Sequence, residues 1–195
     1  MKAMEQRYNQ TDIDLKPLYD YCEQHGEVVC YEKGEQMEQE GEPTKWLAFV
    51  QKGYFKYTVR GISDGCDHIA WFSFEGEVVG CYPDLLYGRP SKFTIEAVVP
   101  CTVVRISSER LDQFFNMNAE AMRFHAFMSD HILCQFQDRY LDFHRATPRE
   151  RYELLLRRCP GIVNDLPLNA IASFLNISPS HLSNIRKEIT FSSEK

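Results

Sequence analysis

The sequence predicts an α+β chain, with an antiparallel β-rich part first and helices after it. Three stretches carry this expectation. Between Glu27 and Ile106, short runs rich in Val, Ile, Phe, Tyr and Thr are separated by Gly-containing turns. From about Ala119 to His144 the apolar residues fall at helical spacing over a long segment. From Leu166 to Ile189 two short apolar-periodic runs are divided by a break too brief for anything but a tight helix corner.

Taken in order, residues 12–25 (DIDLKPLYDYCEQH) read as a short amphipathic helix. The runs VVCYEKGE, WLAFVQKGYFKYTVRG, HIAWFSFEGEVVG and FTIEAVVPCTVVRIS then read as strands of an antiparallel sandwich or barrel, with a jelly roll among the candidates. Ser108 to Phe115 reads as a helix opened by a serine cap. The long helix carries Met122, Phe124, Phe127, Met128, Ile132, Leu133, Phe136, Tyr140, Leu141 and Phe143, more apolar surface than one helix on one sheet would hide. Part of that stripe is therefore expected to pack on a second copy of the chain. Thr147-Pro148-Arg149-Glu150 is a capping-box start: Thr caps, Pro sits at the first helical position and Glu reaches back. That helix is expected to run to about Arg158, where Pro160 and Gly161 break the chain.

In LPLNAIASFLNISPSHLSNIRKEI, the residues Leu168, Ile171, Ala172 and Leu175 share one helix face, and Ala172 is small enough for close helix approach. Asn176 tolerates the left-handed backbone of a sharp helix end, and Ile177 plugs the corner. Ser178 is a good N-cap with Pro179 at the first helical position, and Leu182 and Ile185 continue the apolar stripe. The outward face holds Ser180, His181, Ser183, Asn184, Arg186 and Lys187, short polar and cationic side chains of a kind that reach base edges and phosphates. This is the layout of a helix-turn-helix with its recognition helix second. Ser178, Ser180, His181, Ser183, Asn184, Arg186 and Lys187 are the candidate DNA contacts. Arg145 and Arg149 are further candidates for phosphate contacts.

The 195 residues suffice for one medium domain and a small one, and 44% hydrophobic with 26% charged residues is ordinary for a soluble globular protein. No apolar run approaches the roughly 18 residues of a membrane span, and the start MKAMEQRYNQTDIDL is too polar for a signal peptide. A cytoplasmic protein with no membrane partner is expected. Seven cysteines, at 22, 30, 66, 81, 101, 134 and 159, have no C-x-x-C spacing, so most are expected to be small buried hydrophobes. The six histidines are equally scattered, and no metal or other cofactor is expected. The net charge of −6 is uneven. Residues 145–195 hold eight Lys/Arg against five Asp/Glu, a local +3, and the other 144 residues hold 14 against 23, or −9. An acidic body with a mildly basic tail fits a protein that approaches nucleic acid with one end, and so small a footprint favours two copies acting together.

A β-rich domain, a long helix and a C-terminal helix-turn-helix, in that order, resemble the Crp/Fnr family of transcription regulators. GEVVG at 76–80, TPRER at 147–151 and IASFLNISPSHLSNIRK at 171–187 carry the resemblance. It implies a cyclic-nucleotide-binding-like jelly roll over 1–117, a dimerisation helix over 118–145 and a helix-turn-helix DNA-binding domain over 146–195. It also implies an effector pocket at Gly76, Glu77, Val79, Gly80, Cys81, Ser91, Lys92, Phe136 and Gln137, around a Gly-rich turn whose N–H groups converge on an anion. The chain departs from the cyclic-AMP-binding pattern at the decisive places. Cys81 stands where a Glu would hold the ribose hydroxyl, Ser91 and Lys92 where Arg-Ser would hold the cyclic phosphate, and Phe136 and Gln137 where Thr-Ser would read adenine. Lys92 and Arg89 are the available stand-ins for the missing cation. The expectation is an effector other than cyclic AMP. Cys22 and Cys30 do not form the clustered N-terminal cysteines of the iron–sulfur branch, and His68 is expected to be structural rather than a haem ligand. The family's C-terminal wing has only TFSSEK to be built from.

The resulting expectation is a dimeric, sequence-specific regulator without enzymatic activity. Its partners would be double-stranded DNA, a second copy and an unidentified small-molecule effector, with RNA polymerase a further candidate partner. A ligand-binding signalling module acting through protein partners is the alternative, and substitution of Asn184 and Arg186 separates the two by DNA retardation. A cupin-type enzyme would need inward His and carboxylate ligands on neighbouring strands, and His25 and His68 are too isolated to supply them.

Overall fold

The computed structural model describes residues 13–193. The polar start at 1–12, with the first residue of the expected helix at 12–25, lies outside them, as do Glu194 and Lys195. Helix α1 is Lys16–His25, later than the sequence predicts, because Pro17 sits in its first turn and Asp14 Oδ1 takes the Lys16 N–H at 2.9 Å.

Eight strands follow: β1 (Glu27–Tyr31), β2 (Gln36–Glu38), β3 (Trp46–Lys52), β4 (Phe55–Arg60), β5 (Asp67–Ser73), β6 (Val78–Val79), β7 (Thr94–Ala97) and β8 (Cys101–Ser107). They form two antiparallel four-stranded sheets, in the orders β1-β8-β3-β6 and β2-β7-β4-β5, the strand order of a jelly roll. Burial alternates along β7, which reads intermediate, buried, intermediate, buried, whereas β3 is covered on both faces and is buried from Leu47 to Val50. Between the sheets lie Tyr31, Val50, Phe55, Tyr57, Val79, Ile95 and Val103. A short helix that the sequence reading lacked, α2 (Tyr82–Leu86), stands between β6 and β7.

Helix α3 (Ser108–Phe115) opens on Ser107, whose side chain accepts the Arg110 N–H. Asn118 caps the long helix α4 (Ala119–Arg145), accepting the Ala121 N–H at 2.8 Å. α1, α3 and the start of α4 bury the outer face of the first sheet through Leu18, Leu47, Val104, Leu111, Phe114 and Met128. Thr147 and Glu150 form the expected capping box of α5 (Pro148–Arg158). α6 (Ile162–Asp165), one turn absent from the sequence reading, leads to α7 (Leu168–Leu175) and α8 (Pro179–Ser193). The helix runs through Ser193, so the described part of TFSSEK forms helix rather than a β-wing. The outer side of the second sheet and the C-terminal helices share one core, in which Phe72, Phe74, Ile69 and Tyr54 meet Leu155, Ile171, Phe174 and Leu182.

The cysteine expectation is corrected. Only Cys22, Cys81 and Cys101 are buried, and Cys159 is intermediate. Cys30 is exposed on the edge strand β1, Cys66 in the β4–β5 turn and Cys134 on α4, positions where the fold has no second layer to cover them. His68 bonds the Asp64 carboxylate at 2.9 Å across that turn, a structural contact at the surface.

Candidate functional site

The C-terminal corner is built from three residues. Asn176 adopts the left-handed conformation (φ 54°, ψ 50°) and its N–H returns to Ser173 O at 3.0 Å. Ile177 N–H closes on Ala172 O at 3.1 Å, and Ala172 itself is fully buried. Ser178 Oγ accepts the His181 N–H at 3.2 Å and starts α8. Leu182 and Ile185 are buried against α7, and this rotates Ser178, Ser180, His181, Asn184, Arg186 and Lys187 outward. Ser183 is half-buried at the edge of that face.

Two arginines brace the corner from behind. Arg151 donates through Nη1 to Ala146 O at 2.7 Å and through Nη2 to Leu175 O at 3.0 Å. Arg139 on α4 lies 4.0 Å over the Phe174 ring and donates to Phe174 O at 3.4 Å. Both place positive charge at the C-terminal end of α7, where the carbonyls are otherwise unpaired and the helix dipole is negative. Arg145 and Arg149 pair within the chain, with Asp142 at 2.7 Å and Glu153 at 2.9 Å.

The second candidate site surrounds the GEVVG turn. Gly80 has φ +136°, and a Cβ there would stand 2.9 Å from Trp46 O, so only glycine fits. Its N–H donates to Tyr57 OH at 3.0 Å. Cys81 Sγ donates to Asp84 Oδ2 at 2.9 Å, and Arg89 Nε and Lys92 Nζ face the other oxygen at 2.9 and 3.6 Å. Ser91 Oγ donates to Glu38 Oε2 at 2.9 Å and accepts the Phe93 N–H. Asp84, Glu38 and Ser91 are all buried. Burial pushes the Glu38 carboxyl up to about 7, the negative Asp84 adds to this, and bonds from Ser91 and the Cys81 N–H oppose it. Burial, reinforced by Asp84, likewise raises the Cys81 thiol to about 11, so it is a neutral donor.

The expected pocket is thus only partly assembled. Cys81, Ser91 and Lys92 converge on Asp84 and Glu38, Gly80 bonds Tyr57 OH beside them, and Val79 enters the inter-sheet core. Gly76 and Glu77 turn away: Gly76 N–H bonds Val50 O, and Glu77 bonds Arg158. Phe136 stacks on Trp71 with ring centroids 5.3 Å apart, and Gln137 is exposed on α4. The sequence reading missed Glu38 and Asp84. Their only signals were an inward register two residues after Gln36 and a carboxylate three residues after Cys81. Two buried carboxylates occupy the site, and Ser91 is already committed to one of them.

α4 exposes Met122, Phe127, Leu133, Phe136, Tyr140 and Leu141, each between 46% and 65% accessible. The apolar excess expected from the sequence is therefore left uncovered by the chain's own fold. Among the described residues, no helix is long and apolar enough to cross a membrane.

The jelly roll, the Gly-rich turn and the short helix between β6 and β7 all lie in the part of the chain that a known family covers. Residues 28–118 match the cyclic nucleotide-binding domain family. No curated protein matches the sequence. Among solved structures, FixK2 from Bradyrhizobium japonicum is similar with TM-score 0.70 and 19% identity, covering 86% of each chain. The c-di-GMP-responsive global regulator CLP of Xanthomonas campestris gives TM-score 0.63 and 15% identity, covering 92% of this chain and 93% of its own. The catabolite activator protein of Thermus thermophilus gives 0.54 and 16%, covering 94% and 86%. At these identities the likeness shows the fold, a cyclic nucleotide-binding-type domain followed by a long helix.

Proposed function

We propose that this chain is a sequence-specific DNA-binding transcription regulator of Crp/Fnr type, acting as a homodimer under an effector other than cyclic AMP. The observation that carries this reading is the face of α8. Leu182 and Ile185 anchor the helix, and Ser180, His181, Asn184, Arg186 and Lys187 stand together in solvent. Short polar side chains flanked by cations match the edges and phosphates of a major groove, and Asn184 has the donor–acceptor pair for a bidentate contact with adenine. α7 and α8 with the Asn176 corner then form a helix-turn-helix.

Homodimerisation is supported by the exposed apolar stripe of α4. Paired across a two-fold axis, the stripes would bury one another and present two recognition helices about 34 Å apart, one duplex turn. The effector would be a small molecule that tolerates the acidic interior around Asp84 and Glu38.

Selection of bound sequences from a random duplex pool tests the reading, and should return a two-fold symmetric site. A salt titration on that site should show log K falling with log salt by about 0.9 per phosphate contact. Absence of an enriched site together with a flat salt response overturns the proposal.

A further inference from the structure

The apolar core shared by the β-domain and the C-terminal helices holds the two together, and directional polar bonds across it add to what fixes their angle. Three such bonds cross this core. Ile69 N–H donates to Ser173 Oγ at 3.1 Å, Tyr54 OH donates to Asp165 Oδ2 at 2.8 Å, and Arg158 Nη2 donates to Glu77 Oε1. The first two start from a strand and a strand turn. The third starts from the GEVVG turn itself.

Glu77 is held by that turn at several points. Its N–H donates to Phe74 O and its Oε2 accepts the Phe74 N–H, both at 3.0 Å. Its carbonyl accepts the Val50 N–H at 3.0 Å. The other carboxylate oxygen, Oε1, is the one that reaches Arg158 at the end of α5. The Arg158 guanidinium also lies 4.7 Å over the Phe74 ring, and the side chains of Arg158 and Glu77 are 14% and 36% exposed, so the pair is partly shielded from salt. One side chain therefore joins the backbone of the turn to the helix that leads into the corner.

We propose that Glu77 couples the GEVVG turn to the helix-turn-helix unit of its own chain: through Arg158 it fixes the angle of α5 and hence the aim of α8. A ligand that shifts the turn would re-aim the recognition helix directly, within one subunit, without passing through the α4 dimer contact. The functional consequence rests on the DNA-binding reading given above, and the coupling itself does not.

The test is amide hydrogen exchange on the full chain without DNA, beside duplex binding followed by fluorescence anisotropy. Glu77→Gln keeps the volume and the acceptor for Phe74 N–H and removes the charge facing Arg158. Exchange over 148–175 should quicken about tenfold or more, as for loss of one charge-assisted bond, and Arg158→Gln should do so at least as much. The double variant should match Arg158→Gln alone, because that change already removes the bond that Glu77→Gln removes. Acceleration confined to 74–80, or an additive double variant, overturns the coupling. Arg158→Lys keeps the charge but loses the planar fork that lies over Phe74, so its exchange should fall between the parent and Arg158→Gln. A Lys variant that exchanges as fast as the Gln one would show that the charge facing Glu77 does not hold α5, and would also overturn it. If exchange follows the expected pattern and no duplex binds, the DNA reading fails and the coupling stands. Intact duplex binding with an unresponsive α5 sinks the coupling alone.

Discussion

Ser91 Oγ lies 2.9 Å from Glu38 Oε2, a hydroxyl bonded to a carboxyl with both side chains nearly sealed from water. Because burial raises the Glu38 carboxyl to about 7, the folded chain binds a proton there that the unfolded chain releases near its ordinary value of 4.5. Stability from this group is therefore full below about pH 4.5 and is lost as pH rises toward 7, by up to about 3 kcal/mol. Urea unfolding of Glu38→Gln across that window should show the slope flattened relative to the parent.

The same acidic interior predicts the response to cyclic AMP. A cyclic phosphate would enter beside Asp84 and Glu38, and the cations nearest it, Arg89 and Lys92, already face Asp84. Titration calorimetry with cyclic AMP should give no binding heat up to about millimolar ligand, where charge-assisted phosphate bonds of roughly 1.5–3 kcal/mol are missing. A micromolar dissociation constant would contradict this.

Asn176 offers a test of the corner. An ordinary L-residue at φ 54° costs about 1–2 kcal/mol, more for a β-branched one, and Asn lowers that cost. Asn176→Val should lose about 1–2 kcal/mol in urea unfolding, and Asn176→Gly should stay within about 0.5 kcal/mol of the parent.

Much of this architecture was legible because the signals were local. Ser107, Asn118 and Thr147 cap their helices with their own side chains, and Asn176 ends α7 through its own backbone, so a short window of sequence suffices. The strands between 27 and 107 were legible from alternation and turn glycines. The candidate pocket was less so, because its character depends on pairings distant in sequence. Glu38 meets Ser91 across 53 positions, and Arg158 meets Glu77 across 81. α2 and α6, of five and four residues, are too short for a helical period to register.

The exposed stripe on α4 predicts the oligomeric state. Leu133 and Tyr140 stand seven residues apart, two turns of helix, and are 56% and 65% accessible. Replacing both by Glu would place like charges face to face in a paired assembly. Light scattering should then report the mass of one chain in place of two, and affinity for a two-fold symmetric duplex should fall at least about tenfold through loss of the second half-site.

The interlocking of Phe72 and Phe174, ring centroids 4.7 Å apart, makes the two halves of the chain mutual chaperones. Cutting between α4 and α5 would not release two working pieces. The β-half would bare Tyr54, Ile69, Phe72 and Phe74 as a sticky aromatic patch, and the helical half would lose the wall against which Ile171 and Phe174 settle. The two sides of residue 146 thus share one apolar core, and heating should melt both in one step.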